Sequence, residues 1–148
     1  MKSLFIFFVA ISFSQGVFAA NYGPQDGIYS GKGSWSDTAG TTGTLNMTYS
    51  IANNVHDFAV KLSDGRHWEG QLKYEFLNSS DFNLLVGTML IGQGQCTPDQ
   101  CITTSMFGGP SGSVTQIDTF QKKSIHRSGA IKDPSTPSTF FDIELNKK

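Results

Sequence analysis

Strict alternation of apolar and polar residues constrains this chain more than any other feature. It is clearest between residues 67 and 76, where Trp68, Leu72 and Tyr74 fall on one face and polar or charged side chains on the other. A period of two is that of a β-strand with one buried face. The pattern recurs from residue 27 to residue 146, and no stretch shows a convincing helical period. The chain is therefore predicted to be all-β, with no substantial helix.

Turn signals divide the alternating region into consecutive strands. Asn53-Asn54 and Asp64-Gly65 each join two strands, and Phe82 to Ile91 is predicted to be one strand that is apolar on both faces. Short turns between successive strands are typical of an antiparallel meander, and closing the sheet covers its apolar face and removes its edges. We predict a single up-and-down β-barrel of about 8 strands within residues 21–148, with an interior just wide enough for side chains or one small ligand.

Residues 1–20 have the features of an export signal. Lys2 provides positive charge, residues 4–11 are apolar, and Ala19 and Ala20 are small residues suited to cleavage. The apolar run is shorter than the ~20 residues that a membrane-spanning helix needs. We therefore expect cleavage near Ala19 or Ala20 and a soluble, periplasmic or secreted mature protein without a membrane span.

The charge balance narrows the classes of partner. The chain has 11 basic and 12 acidic residues. One basic residue lies in the export signal, so the mature net charge is 10 − 12 = −2. Nucleic acid and anionic membranes both favour a basic face, and neither is expected to bind this protein.

The two cysteines, Cys96 and Cys101, lie on either side of a Pro-Asp turn. In an oxidising compartment this pair is predicted to form a disulfide that closes a hairpin loop. A metal site is not expected, because the chain has no other cysteine and its three histidines are scattered. A redox pair would have the C-x-x-C spacing, which is absent here.

Catalytic motifs are missing from the sequence. It has no G-x-S-x-G nucleophile turn and no H-E-x-x-H metal motif. His56, His67 and His126 are each expected to be solvated, while the strand that carries Asp118 has no clean face. The chain is therefore predicted not to be an enzyme and to need neither a cofactor nor a metal.

Gly33-Ser34-Trp35 on the first predicted strand resembles the G-x-W opening of the lipocalin and wider calycin superfamily. The resemblance implies an up-and-down barrel that commonly binds small apolar ligands. It also implies that Trp35 packs across the closed end of the barrel and is covered by a basic residue from a late strand. Arg127 is the candidate for that residue, because it alternates with Ile125 and Gly129 on a row predicted to face inward.

Two functional hypotheses follow, and the volume of the barrel interior distinguishes them. In the first, the protein binds a small, largely apolar ligand among inward side chains. In the alternative, these side chains fill the core, and the protein is an interaction or inhibitor barrel that acts through loops Cys96–Cys101 and Gly108–Ser113. The ligand-binding residues expected under the first hypothesis are Trp35, Tyr49, Trp68, Tyr74 and Arg127.

Overall fold

The computed structural model describes residues 21–107, 109 and 111–148. The proposed export signal, residues 1–20, lies outside the described residues. Ten β-strands follow one another along the described chain, and the connections between them are turns and short loops. The strands are β1 Gly27–Asp37, β2 Thr42–Ala52, β3 Val55–Leu62, β4 His67–Phe76, β5 Asp81–Val86, β6 Met89–Cys96, β7 Gln100–Met106, β8 Ser113–Phe120, β9 Ser124–Lys132 and β10 Thr139–Lys147.

The strands form one closed antiparallel barrel in which each strand pairs with its neighbours in the chain, and β1 also pairs with β10. This confirms the predicted all-β, up-and-down barrel. Glycines make the closing pair possible: Gly31 lies opposite Leu145 and Gly33 opposite Ile143. A Cβ atom at either glycine would overlap the backbone of β10, so glycine permits the close approach of these two strands.

The number of strands differs from the prediction of about eight. The segment predicted as a single strand, Phe82 to Ile91, contains all of β5 except its first residue, and the first three residues of β6. A two-residue turn separates them, in which Gly87 has a left-handed φ of 59°. The turn was not predicted because apolar side chains flank it on both strands and make the two strands resemble one continuous hydrophobic run. A barrel of ten strands has a wider interior than one of eight, because barrel diameter grows with strand number.

The two ends of the barrel differ in what they contain. We call the end where β1 begins and β10 finishes the terminal end, and the opposite end the far end. Buried aliphatic and aromatic side chains pack together in the terminal half, and one of the two clusters continues to Trp35, Leu45 and Leu62 towards the far end. The disulfide Cys96–Cys101 that the sequence predicted also lies in the terminal half, linking β6 to β7. The buried side chains that fill the terminal half include Tyr29, Ile51, Phe82, Ile125 and Leu145.

In the part of the chain that the structure describes, no helix is long and apolar enough to cross a membrane.

Candidate functional site

A cavity of about 290 Å³ occupies the far half of the barrel interior. All five residues that the sequence predicted for ligand binding line it. Most of the remaining wall is aliphatic or aromatic, and the polar groups are few. The predicted residues are Trp35, Tyr49, Trp68, Tyr74 and Arg127.

The floor of the cavity is a stack of aromatic rings around a buried histidine. The imidazole of His56 lies parallel to the Tyr74 ring, with centroids 3.9 Å apart, and Tyr74 in turn stacks on Phe82 at 4.7 Å. A hydrogen bond joins the Tyr49 hydroxyl to Nδ1 of His56. These contacts fix the positions of Tyr49 and Tyr74, the two phenols that face the cavity.

Burial keeps the floor uncharged apart from one ion pair. Desolvation, reinforced by the nearby positive charge of Arg127, lowers the pKa of His56 to about 3. Burial raises the pKa of the Tyr49 hydroxyl in spite of the opposing effect of Arg127. Burial also raises the pKa of Tyr74 well above its ordinary value, with Tyr49 and Asp118 adding to the effect. At neutral pH the histidine is therefore neutral and both phenols keep their protons.

The expectation that His56 is solvated is wrong, since only 1% of the residue is exposed. It lies on β3 two residues before Phe58, on the inward row that continues through Val60 and Leu62. The alternation could have identified it, had the row been extended back to the start of the strand. The other two histidines agree with the expectation: His67 is exposed, and His126 contacts Asp142 on the outer surface at 3.0 Å.

Arg127 points into the barrel, as its position on the inward row predicted. Its partner is Asp118 of β8, which accepts hydrogen bonds from Nε at 2.7 Å and from Nη2 at 2.8 Å. The guanidinium also lies 4.2 Å from the centroid of the Tyr49 ring. Burial by itself lowers the pKa of a guanidinium, but the adjacent carboxylate outweighs it and holds the pKa of Arg127 well above its ordinary value.

The predicted contact between Arg127 and Trp35 is wrong. Arg66, from the turn between β3 and β4, covers the indole instead, with its guanidinium carbon 4.7 Å from the ring centroid of Trp35. Arg66 also lies 5.9 Å from the Trp68 ring and donates a hydrogen bond to Oγ1 of Thr139 at 3.1 Å. Trp35 is at the far end of β1, beyond the level of Arg127, so a residue from a turn at that end reaches it first.

The Trp35 indole has one unsatisfied group. Its Nε1 is buried and has no hydrogen-bond partner among the described residues. An unpaired buried donor costs about 1–3 kcal/mol. The Arg66 guanidinium covers the ring face and offers no acceptor, so this cost stays uncompensated by the described side chains.

Two other sequence predictions concern a loop and a metal site. The loop predicted between Gly108 and Ser113 is only partly described, because residues 108 and 110 lie outside the described residues. No group of three or more His, Cys, Asp or Glu side chains that could hold a metal occurs among the residues that the structure describes.

Comparisons with known proteins support the fold. No protein-family model matches the chain, and no curated protein matches it. A solved structure does: an S-type phycobiliprotein lyase from Guillardia theta has 10% sequence identity and a TM-score of 0.60, over 83% of this chain and 87% of the lyase. The barrel is lipocalin-like.

A second structure, a putative AttH protein from Nitrosomonas europaea, has 13% identity and a TM-score of 0.29 over 88% of this chain and 55% of that one. This similarity is too low to carry an argument about either fold or function.

The expectation that the chain is not an enzyme is overturned by the first comparison. The matched barrel is named as a lyase, so this architecture occurs in an enzyme. Nucleophile and metal motifs lie within a few consecutive residues, whereas a barrel can present reactive groups from several separate strands.

Proposed function

We propose that this protein binds a small, largely apolar ligand inside its lipocalin-like barrel. The cavity of about 290 Å³ carries the proposal. This volume is slightly below the ~300 Å³ at which typical ligand pockets begin, so it suits only a small ligand, and the cavity combines an apolar wall with a few polar groups, as such pockets do. A dry cavity of ~150 Å³ holds one benzene, so this one suits a ligand of about two fused rings.

The aromatic residues of the cavity have distinct places in this proposal. Tyr49 and Tyr74 at the floor, held by His56, present phenols to the inner end of the ligand. Trp35 and Trp68 lie towards the far end, where the ligand would leave the barrel. Arg127 supplies a fixed cationic donor beside Tyr49. A carrier protein and an enzyme would both need to bind a ligand in this way, so the proposal holds for either class of protein.

The cavity favours ligand binding over action through the loops alone. A barrel that served only to display its loops would gain stability from a filled interior, because unfilled space loses packing contacts. The unfilled cavity between Tyr49 and Trp68 therefore lowers the stability of the barrel, and ligand binding would offset this loss.

Filling the cavity tests the proposal. Val60 lines it, and its neighbour Ala59 is exposed on the outer surface of the same strand. Val60→Phe should abolish binding of an alkylnaphthalene measured by equilibrium dialysis, while the matched Ala59→Phe variant should bind as the unsubstituted protein does. Equal binding by both variants, each shown to be folded by circular dichroism, would place the ligand elsewhere and refute the proposal.

We also propose that the protein is exported. The support is the charged and apolar pattern of residues 1–20, together with a disulfide of the kind that persists in oxidising compartments. Expression of the full chain followed by mass spectrometry of the extracytoplasmic fraction should yield a protein that begins at Ala20 or Asn21. An uncleaved chain retained inside the cell would contradict export.

A further inference from the structure

Arg127 has donor capacity that its protein partners do not use well. A guanidinium carries five N–H donors. Asp118 accepts one bond from Nε and one from Nη2, while Nη1 donates to the Met47 thioether, 3.8 Å away. Sulfur in a thioether is a weak acceptor. Arg127 is buried but lines the cavity, so its guanidinium is within reach of a ligand that occupies the cavity.

The buried interior carries no net charge. Among the buried side chains of the described residues, Arg127 and Asp118 form an ion pair, and their charges cancel. The other buried polar groups, including His56 and Thr103, are neutral. A carboxylate entering this space would lose its hydration and would also meet the negative charge of Asp118.

We infer that the polar group of the ligand at the cavity floor is an uncharged hydrogen-bond acceptor, such as a ketone, ester or amide carbonyl, and not a carboxylate. This inference rests on the proposed function. A carbonyl oxygen accepts from Nη1 of Arg127 without adding charge to the interior. The neutral Tyr74 phenol also lines the cavity and adds a second uncharged polar group to its wall.

The direct test compares three naphthalenes substituted at the same ring position: the methyl ketone acetylnaphthalene, the carboxylate naphthoate and the hydrocarbon ethylnaphthalene. They have similar sizes and differ in the substituent alone. Equilibrium dialysis at pH 7 should show that the ketone binds at least ten times more tightly than naphthoate and also more tightly than the hydrocarbon. Naphthoate binding as well as or better than the ketone would overturn the inference. So would a ketone that binds no better than the hydrocarbon.

Asp118→Asn tests the physical cause, because it removes the compensating charge and keeps the shape of the side chain. The ratio of ketone to naphthoate affinity should shift at least tenfold towards naphthoate. The control Glu69→Gln removes an exposed negative charge from β4 and should leave the ratio unchanged. An unchanged ratio in a folded Asp118→Asn variant would overturn the inference. If that variant does not fold, the ratio in the unsubstituted protein decides.

The hydrocarbon separates the two proposals. Ethylnaphthalene that binds alongside a preferred naphthoate would refute the neutral-acceptor inference and leave ligand binding intact. Failure of all three compounds to bind would refute both.

Discussion

Asp118 and Arg127 form a two-point ion pair inside the barrel, with N···O distances of 2.7 and 2.8 Å and exposed fractions of 2% and 4%. They lie directly opposite each other on β8 and β9. The pair places a cation against the cavity without giving the interior a net charge. The stability of the barrel therefore depends on the integrity of this pair, and under the inference above its ligand preference does too.

Breaking this pair should destabilise the protein more than removing it. Arg127→Ala or Asp118→Asn leaves one buried charge without its partner, which costs about 3–5 kcal/mol. Arg127→Lys should restore part of the loss, since an ammonium keeps the charge but cannot make the same two-point contact. The double variant Asp118→Leu with Arg127→Met should be closer to the unsubstituted protein. Urea unfolding measures all four, and a double variant as unstable as the sum of the single variants would contradict the argument.

His56 should make stability fall on mild acidification. Its folded pKa of about 3 is below the ordinary value of 6.5, so the unfolded chain binds a proton that the folded protein does not. The stabilisation is complete above pH 6.5 and is lost at up to about 1.4 kcal/mol per pH unit as the pH falls towards 3.

The measurement is the free energy of unfolding in urea between pH 7 and pH 4.5, a range in which exposed carboxylates contribute little. His56→Gln removes the titrating group and retains an acceptor for Tyr49, so its curve should be flatter in this range. The control His67→Gln, at an exposed position, should keep the slope. Equal slopes in all three proteins would show that His56 is protonated as easily when folded as when unfolded.

Arg66 should control the environment of the two tryptophans. Arg66→Ala removes the cation above Trp35 and its contact with Trp68, and it exposes both rings to water. We expect a red shift of tryptophan emission and a loss of about 0.5–1 kcal/mol of stability. Lys32→Ala, which removes an exposed cation from the same strand as Trp35, is the control and should leave the emission unchanged. Emission that is identical in both variants would rule out the assigned contact.

The β1–β10 closure should be sensitive to a single methyl group. Gly33→Ala places its Cβ against the backbone of β10 at Asp142 and Ile143, and this crowding should cost about 1–3 kcal/mol. At Gly70 the added Cβ meets only the ring of Phe58, at 3.3 Å. Gly70→Ala should therefore cost less, because a side chain moves more easily than a paired backbone. Thermal unfolding compares the two, and the opposite order would contradict the proposed role of glycine at the closure.

The local part of this fold was predictable because alternation is a local property. The bounds predicted for the strand His67–Phe76 match β4, and Ile125 and Arg127 of β9 are buried, as the predicted inward row required. The Asn53-Asn54 turn is also present, with both residues in the left-handed region. Each of these features depends on residues within a few positions of one another.

Alternation by itself thus determined that the chain is an antiparallel barrel and that Arg127 points inward. Only the tertiary structure decided which side chain Arg127 meets, because that depends on the register of β8 against β9 and on how far along β1 Trp35 lies. Alternation also could not predict whether the barrel contains a cavity. The space inside a barrel depends on the number of strands that close it and on side chains that meet across the interior. Those contacts join residues far apart in the chain, such as Met47 and Arg127, so a local sequence pattern does not predict them.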